Sequence, residues 1–254
     1  MKTEILYEDN SILVIRKPAG LAVQSAGIGQ PDVVSELKSH LAKLPGAGRT
    51  GKGEPYLGIV HRLDQPVEGL LVFAKDKKAA AALSKQLTEG ALNKHYYAVL
   101  CGYPDCPEGD LVDYLRKEGN VAVAVTGREQ EFADAKIAAL HYRILEEINA
   151  PSPLALADVT IGTGRFHQIR VQFAHAGFPL FGDTKYGTAV LKEAMPAQKY
   201  RGVALCAYSL ELVHPVSGKK MGFRVVPKNP SFAGFAMEEL KKLTENETGI
   251  SKRG

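Results

Sequence analysis

Short apolar segments of β-strand type follow one another along most of this chain, and few segments of helical periodicity separate them. Strands grouped in this way are typical of α+β folds rather than of doubly wound α/β folds. We therefore predict an α+β fold whose central sheet is mixed but largely antiparallel and is flanked by helices. The predicted strands are residues 4–7, 11–16, 57–60, 70–75, 95–101, 121–125, 136–145, 154–161, 203–213 and 221–226.

The spacing of apolar residues also predicts four helices. They are residues 31–44, 76–87, 167–175 and 235–243. Asp76 is suited to cap the second helix and Gly90 to end it. Residues 45–58 are rich in glycine and carry Arg49 and Lys52, which indicates a mobile basic loop. Such a loop is equally consistent with a solvated connection and with an RNA contact.

We interpret residues 1–243 as one domain and residues 244–254 as a polar, frayed tail. Lys and Arg number 32 against 28 Asp and Glu, and the resulting net charge of +4 permits RNA binding without establishing it. No apolar segment is long enough to cross a bilayer, and acids interrupt the N-terminal residues as they would not in a signal peptide. We therefore expect a cytoplasmic protein with no membrane partner.

The three cysteines are Cys101, Cys106 and Cys206, and none of them belongs to a C-x-x-C pair. Their number and spacing fit neither a zinc site nor a redox motif, so we expect reduced thiols and no metal.

A dense group of polar residues separates the predicted strands at 57–60 and 70–75. It includes His61, Arg62 and Asp64, and Pro66 and Gly69 force a turn within it. Charged residues that leave the end of a strand are often functional, because the sheet holds them rigidly while the loop exposes them. The alternative is an ordinary connection in which Asp64 caps a local turn.

A second polar segment, at residues 161–175, passes from a glycine-rich turn into the third predicted helix. Arg165 stands just before the helix begins. Ile169 and Phe173 fall on one side of this helix and can be buried. Gln168 and Gln172 fall on another side, where we expect their amides to be free to form hydrogen bonds.

Four segments, in order along residues 5–226, closely resemble the catalytic domain of the RluA family of RNA pseudouridine synthases. They are the opening Ile5-Leu6-Tyr7-Glu8-Asp9 through Lys17-Pro18-Ala19-Gly20, His61-Arg62-Leu63-Asp64 with the following 69–75, Lys94-His95-Tyr96-Tyr97-Ala98-Val99, and residues 164–175 with their continuation at 177–187. The resemblance implies a single pseudouridine-synthase-like domain that isomerises uridine within RNA, and this chemistry requires no cofactor.

The resemblance also implies roles for individual residues. Asp64 matches the essential aspartate, which can attack C1′ or C6 or assist through a glycal-like intermediate. Arg165 matches an arginine that pairs with this aspartate and would favour its ionised form. Tyr96 matches a tyrosine that packs against the target base. By strand alternation, Tyr97 should face the opposite side and belong to the core.

The RNA contacts implied by the resemblance lie on both polar segments. His61 and Arg62 match residues that enter the RNA when the uridine is flipped out, which offsets part of the cost of unstacking. Gln168 and Arg170 are expected to contact RNA or to support the site. The expected partner is tRNA, rRNA or both, and we expect a monomer.

The chain departs from the family pattern in three places. Val67-Glu68 replaces the more usual Thr-Ser after the aspartate, and we expect Glu68 to face solvent. Phe166 stands where threonine is common, which would alter the capping of the third helix. The family signature begins almost at residue 1, so we expect no S4-like RNA-binding domain, and substrate choice then rests on the catalytic domain or on a partner.

Two other functions compete with an RNA-modifying enzyme. A noncatalytic RNA-binding protein or RNA chaperone could share the fold, although binding alone would not require Asp64, Tyr96 and Arg165 together. A nucleoside or glycoside hydrolase could use Asp64 with Glu68 as a second carboxylate, but no other residue pattern favours it.

Overall fold

The computed structural model describes residues 1–25, 27, 29–43, 54–127, 134–149, 152–187 and 202–237. It contains three α-helices and eleven strands in these ranges. In chain order they are β1 (Glu4–Glu8), β2 (Ile12–Lys17), α1 (Val33–Lys43), β3 (Gly58–Ile59), β4 (Glu68–Ala74), α2 (Lys77–Thr88), β5 (Asn93–Cys101), β6 (Glu108–Glu118), β7 (Val121–Ala124), β8 (Lys136–Ile148), β9 (Leu154–Ile161), α3 (Gln168–His175), β10 (Leu205–Val213) and β11 (Lys220–Arg224).

The described residues form two compact units. The first contains residues 1–94 and 207–227, and the second contains residues 95–206 and 228–237. The strand pairs whose register is described are antiparallel, and the helices accompany strands in both units. The predicted α+β class with largely antiparallel pairing is therefore confirmed.

In the first unit, β2 lies between β1 and β4, β10 neighbours β4, and β11 pairs with β10. Asp9 closes the turn between β1 and β2 by accepting hydrogen bonds from the backbone N–H groups of Ser11 and Ile12. Asp76 caps α2 as predicted, since its carboxylate accepts from the N–H of Ala79 at 2.8 Å. The core of this unit joins apolar side chains of four elements, β2, β4, α2 and β10, and includes Val14, Val72, Leu83 and Leu210.

In the second unit the strand order is β5-β9-β8-β6-β7. Helix α3 packs on this sheet through Val171, which contacts Leu115 and Ala138 in a buried cluster, and through Phe173. The Phe173 ring meets the ring of Tyr142 edge to face at 5.6 Å between centroids. This unit therefore has its own apolar core beneath the second polar segment.

The sequence prediction placed no strand at residues 108–118. This was wrong, because β6 occupies these eleven residues. Charged residues interrupt the apolar residues of β6 without regular alternation, and Leu115 is the one buried residue of this strand. A charged strand with one exposed face carries a weak apolar signal, and its pairing with β7 and β8 depends on long-range register.

Most of the predicted loop at 45–58, most of the predicted helix at 235–243 and the tail at 244–254 lie outside the described residues. Within the described ranges, no helix has the length and apolar character that crossing a membrane requires.

Candidate active site

Asp64 lies in the connection between β3 and β4, which we call the Asp64 turn (residues 60–67). The N–H of Val67 donates to the carbonyl oxygen of Asp64 at 3.1 Å and closes the turn. Leu63 and Val67 are both buried, whereas Asp64 is partly exposed. The turn is therefore anchored by apolar side chains on both sides of a carboxylate that solvent can reach.

Lys17, at the end of β2, binds the Asp64 turn from the protein interior. Its side chain is completely buried, and its ammonium donates to the carbonyl oxygens of Pro18, Leu21 and Gln65 at 3.0, 2.7 and 3.0 Å. Gln65 directly follows Asp64 in the chain. Burial lowers the pKa of Lys17 to about 7, although the negative charges of Asp64 and Glu68 oppose this change.

The expectation that Glu68 faces solvent was wrong. Glu68 is only 3% exposed, and its Oε2 lies 3.5 Å from Nη2 of Arg16, which is also buried. The same Nη2 donates to the carbonyl oxygen of Val226. Glu68 is the first residue of β4, and all seven residues of β4 are buried, so both faces of this strand are covered.

His61 is buried at the start of the Asp64 turn, with 9% of its surface exposed. Its Nε2 accepts a hydrogen bond from the N–H of Val72 at 3.3 Å, which assigns the ring proton to Nδ1. Burial first, and then the positive charge of Lys94, lower the pKa of His61 to about 3. Burial also lowers the pKa of Lys94. His61 is therefore neutral and supports the turn.

Arg62 is exposed, in contrast to its neighbour. Its Nη2 donates a long hydrogen bond of 3.4 Å to Oε1 of Gln24. Gln24 and Gln65 both line an open cavity of about 680 Å³ whose remaining walls come mainly from the segment after β2 and from Pro31. Arg62 is therefore exposed to solvent and bonded to a residue that lines the cavity. Gln65, from the same Asp64 turn, also lines this cavity.

Tyr96 lies on β5 in the second unit and pairs with Val159 of β9. Its neighbour Tyr97 pairs with Asp158, and strand alternation places the two tyrosines on opposite faces. Both rings are largely buried, at 5% and 3% exposure. Tyr97 therefore belongs to the interior as predicted, and Tyr96 is held rigidly by its strand.

Arg165 lies in the loop between β9 and α3. Its Nε donates to the carbonyl oxygen of Ile137 at 2.9 Å, and its backbone N–H donates to Oε1 of Gln168 at 3.0 Å. Gln168 also accepts from the Thr163 hydroxyl and donates to the carbonyl oxygen of Ala139. The expectation that its amide is free was wrong, because Gln168 is buried and ties the Arg165 loop to β8. Gln172 is also buried, and its amide nitrogen donates within the unit.

The residue before α3, His167, has a left-handed backbone (φ 53°) and its side chain forms no capping hydrogen bond. Its Nδ1 lies 2.7 Å from the Tyr186 hydroxyl, and the Phe166 ring stacks on the His167 ring with 3.8 Å between centroids. Phe166 therefore packs on His167, which occupies the N-cap position of α3. Ring packing holds this strained residue in place.

Arg170 forms a buried, two-pronged ion pair with Asp183. Its Nε and Nη2 lie 2.7 and 2.9 Å from the two carboxylate oxygens. Both side chains are almost fully buried, so Arg170 supports the fold of the second unit from within.

The structure brings Asp64, His61 and Arg62 together on one turn of the first unit. In the second unit it places Arg165 in the loop between β9 and α3, where its backbone bonds to Gln168, the first residue of α3. From the sequence, no role was predicted for Arg16, Lys17 or Asp183. Lys17 and Asp183 lie within the segments that carry the family resemblance. Across the described residues, no group of His, Cys, Asp or Glu side chains could hold a metal ion.

Comparison with known proteins gives this fold and these motifs a family context. The family model for RNA pseudouridylate synthase matches residues 11–175. The chain is 38% identical over 226 residues to an uncharacterised RNA pseudouridine synthase of Synechocystis, covering 85% of this chain and 63% of the relative. It is 35% identical to the ribosomal large subunit pseudouridine synthase D of Zymomonas mobilis, covering 87% of this chain and 68% of that protein. The chain thus spans about two thirds of the length of these relatives.

Two human structures share the fold. RNA pseudouridylate synthase domain containing 4 superposes with a TM-score of 0.68 at 24% identity, covering 94% of this chain and 93% of that one. RNA pseudouridylate synthase domain containing 1 gives 0.70 at 20% identity, with 95% and 94% coverage. At these identities the likeness concerns the fold, and it confirms the pseudouridine-synthase-like architecture expected from the motifs.

Proposed function

The chain belongs to the RNA pseudouridylate synthase family, and we propose that it is an isomerase that converts uridine to pseudouridine within RNA, with Asp64 as its catalytic carboxylate. The observation that carries this proposal is the setting of Asp64. Its carboxylate reaches solvent from a turn that is fixed by buried Leu63 and Val67 and by the Lys17 ammonium. A carboxylate placed in this way can meet a flipped nucleotide without rearrangement of the turn.

The proposed reaction breaks the N1–C1′ glycosidic bond, rotates the uracil and joins C5 to C1′, with the C5 proton released and N1 taking up a proton. Asp64 can act as a nucleophile at C1′ or C6, or assist a glycal-like intermediate, and covalent catalysis of the first kind divides one difficult step into two. Tyr96 is proposed to pack against the uracil, and Arg165 to pair with Asp64 and direct its carboxylate.

Arg62 is proposed to enter the RNA stack in place of the flipped uridine. Its exposure and its long hydrogen bond to Gln24 leave the guanidinium able to move. His61 is proposed to hold the backbone next to Arg62 in place during this movement, because its ring is buried, neutral and bonded to the N–H of Val72. Gln168 and Arg170 are proposed to support the Arg165 loop rather than to touch RNA, since both are buried.

Either tRNA or rRNA can supply the uridine. Several relatives are named for the large ribosomal subunit, which makes large-subunit rRNA the first substrate to test. We also propose that the protein acts in the cytoplasm as a monomer.

The test is tritium release from tRNA and from large-subunit rRNA, each labelled at uracil C5. Wild type should release tritium from one class, and Asp64→Asn should lower the rate by several orders of magnitude while binding of the RNA persists. Asp105→Asn removes an exposed aspartate of the second unit and should leave the rate unchanged.

Binding of both RNA classes by the wild type without any tritium release would favour the noncatalytic RNA-binding alternative. Release of free uracil or ribose would favour a hydrolase. The hydrolase is disfavoured because buried Glu68 pairs with Arg16 and is unavailable as a second carboxylate flanking the substrate.

A further inference from the structure

The open cavity beside Arg62 has no part in the reaction proposed above. Its volume of about 680 Å³ lies in the range of pockets that take a small organic ligand. The cavity belongs to the first unit, since the described residues that line it all lie between positions 2 and 65. Gln65, which directly follows Asp64 in the chain, forms part of its wall. A ligand in this cavity would therefore lie next to the Asp64 turn.

Hydrogen bonds hold the walls of the cavity in place. The N–H of Gly20 donates to the carbonyl oxygen of Gln65 at 2.8 Å, and the Gln65 amide nitrogen donates to the carbonyl oxygen of Gly20 at 3.1 Å. The Asp32 carboxylate accepts from the N–H of Ser25 at 2.7 Å and from the N–H of Ser35 in α1 at 2.7 Å. Both the Asp64 turn and α1 thus fix the segment after β2, and the cavity is preformed.

The lining of the cavity suits an uncharged group that has a flat apolar face and hydrogen-bonding edges. Of the described residues that line it, only Lys2 is charged. Pro18 and Pro31 supply apolar surface, and the side chains of Gln24 and Gln65 supply amide groups. Proteins recognise unpaired RNA bases by packing on their faces and bonding to their edges. A phosphate group would instead favour a cluster of Lys and Arg.

Arg62 links this cavity to the flipping of the uridine. Its Nη2 donates to Oε1 of Gln24 at 3.4 Å. When Arg62 enters the RNA stack, as proposed above, that oxygen becomes available to another donor. Within the described part of the chain, no hydrogen bond engages the amide nitrogen of Gln24. Gln24 then presents a donor and an acceptor side by side, and a glutamine amide in this state can form paired hydrogen bonds with the edge of a base.

We propose that the cavity binds an unpaired nucleobase of the substrate RNA that neighbours the flipped uridine, and that Gln24 bonds to the edge of this base. This inference rests on the proposed function, because it depends on the movement of Arg62 into the RNA. It gives the first unit a part in choosing which uridine is modified.

The first test compares the single-stranded RNA ACUGAC with a chain of six abasic ribose phosphates. In NMR spectra of ¹⁵N-labelled protein, the side-chain amide signals of Gln24 and Gln65 should shift with the RNA and stay unchanged with the abasic chain. Gln86 is the control, because its amide bonds to the backbone of Val213 and does not line the cavity. Equal shifts with both chains, or no shift with the RNA, would overturn the inference.

The second test measures tritium release by Gln24→Ala from the RNA class that the wild type modifies. Loss of a hydrogen bond to the base should raise KM about three- to tenfold. The kcat should stay near the wild-type value, because the contact is present in the ground state and in the transition state. Asn93→Ala removes an exposed amide of the same unit that does not line the cavity, and its KM should be unchanged. A wild-type KM in Gln24→Ala would contradict the proposal.

An abasic nucleotide placed in turn on each side of the modified uridine completes the test. At one of the two positions it should raise the KM of the wild type by the same factor as Gln24→Ala, with no further rise in that variant, because both changes remove one contact. Additive losses would show that Gln24 and the base do not meet. Absence of tritium release by the wild type would contradict the proposed function, whereas an active wild type without the NMR shifts would contradict this inference alone.

Discussion

Arg170 and Asp183 illustrate how burial changes the role of a charged residue. Each is a full charge, and each lies inside the second unit with two short hydrogen bonds to the other. The Asp183 carboxylate also accepts from the backbone N–H of Lys185. Such a pair holds α3 to the segment at residues 180–187, and the guanidinium is not available to RNA.

Removing one member of this pair should therefore harm stability rather than RNA binding. We expect Asp183→Asn to lower the free energy of unfolding by about 3–5 kcal/mol, because it leaves Arg170 buried without a counter-charge. Urea denaturation measures this effect. The matched control is Glu118→Gln, which breaks the exposed pair with Arg116 and should cost less than about 1 kcal/mol. Equal losses in the two variants would contradict this account of Arg170.

At the scale of elements, β4 begins where the Asp64 turn ends, and a glycine makes this junction possible. Gly69 has φ +128°, and a Cβ at this position would collide with the backbone of Ala207 on β10. Gly90, after α2, also has a positive φ (+73°), but the space around its missing Cβ is open. A substitution at Gly90 therefore tests backbone strain alone, whereas a substitution at Gly69 tests backbone strain and steric contact together.

We expect Gly90→Ala to cost about 1–2 kcal/mol through left-handed strain alone. Gly69→Ala should cost about 1–3 kcal/mol more, because β4 or β10 must also shift. That shift should reduce tritium release as well, since β4 continues directly from the turn that carries Asp64. Thermal unfolding and the activity of the soluble fraction measure both effects. Gly69→Ala with the stability of Gly90→Ala would show that the junction tolerates a side chain.

At the scale of the whole molecule, buried ionisable groups determine how stability depends on pH. His61 has its pKa lowered to about 3, whereas an unfolded histidine titrates near 6.5. Below pH 6.5 the unfolded chain therefore binds a proton at this position that the native protein does not. The free energy of unfolding should fall as the pH falls from 6.5 towards 3.

The contribution of His61 extends over the window from pH 6.5 to 4.5. The carboxylates of Glu8, Asp9, Asp32 and Glu36 have lowered pKa values, so their stabilisation is lost only at lower pH. His61 should contribute a slope of up to about 1.4 kcal/mol per pH unit in this window. We expect His61→Asn to remove that slope in urea denaturation series, and His141→Asn, at a more exposed histidine, to retain it. A wild-type slope in His61→Asn would show that His61 is not buried in its neutral form.

Local patterns in the chain were sufficient for much of this protein. Apolar periodicity located α1, α2 and α3 to within a few residues, and Asp76 and Gly90 marked the ends of α2. The polar turn around Asp64 was also recognisable, because Pro66 and Gly69 interrupt two apolar strands. These features arise from interactions between residues that are close in sequence, so the sequence displays them directly.

Only the tertiary structure decided which polar residues are buried. Glu68 and Arg16 are 52 residues apart, and β2 must lie beside β4 before they can meet. Gln168 becomes an internal hydrogen-bonding residue because the Arg165 loop lies against β8, and β6 forms because β7 and β8 pair with it. Burial and long-range pairing depend on which elements become neighbours, and an exposed and a buried glutamate look the same in a sequence.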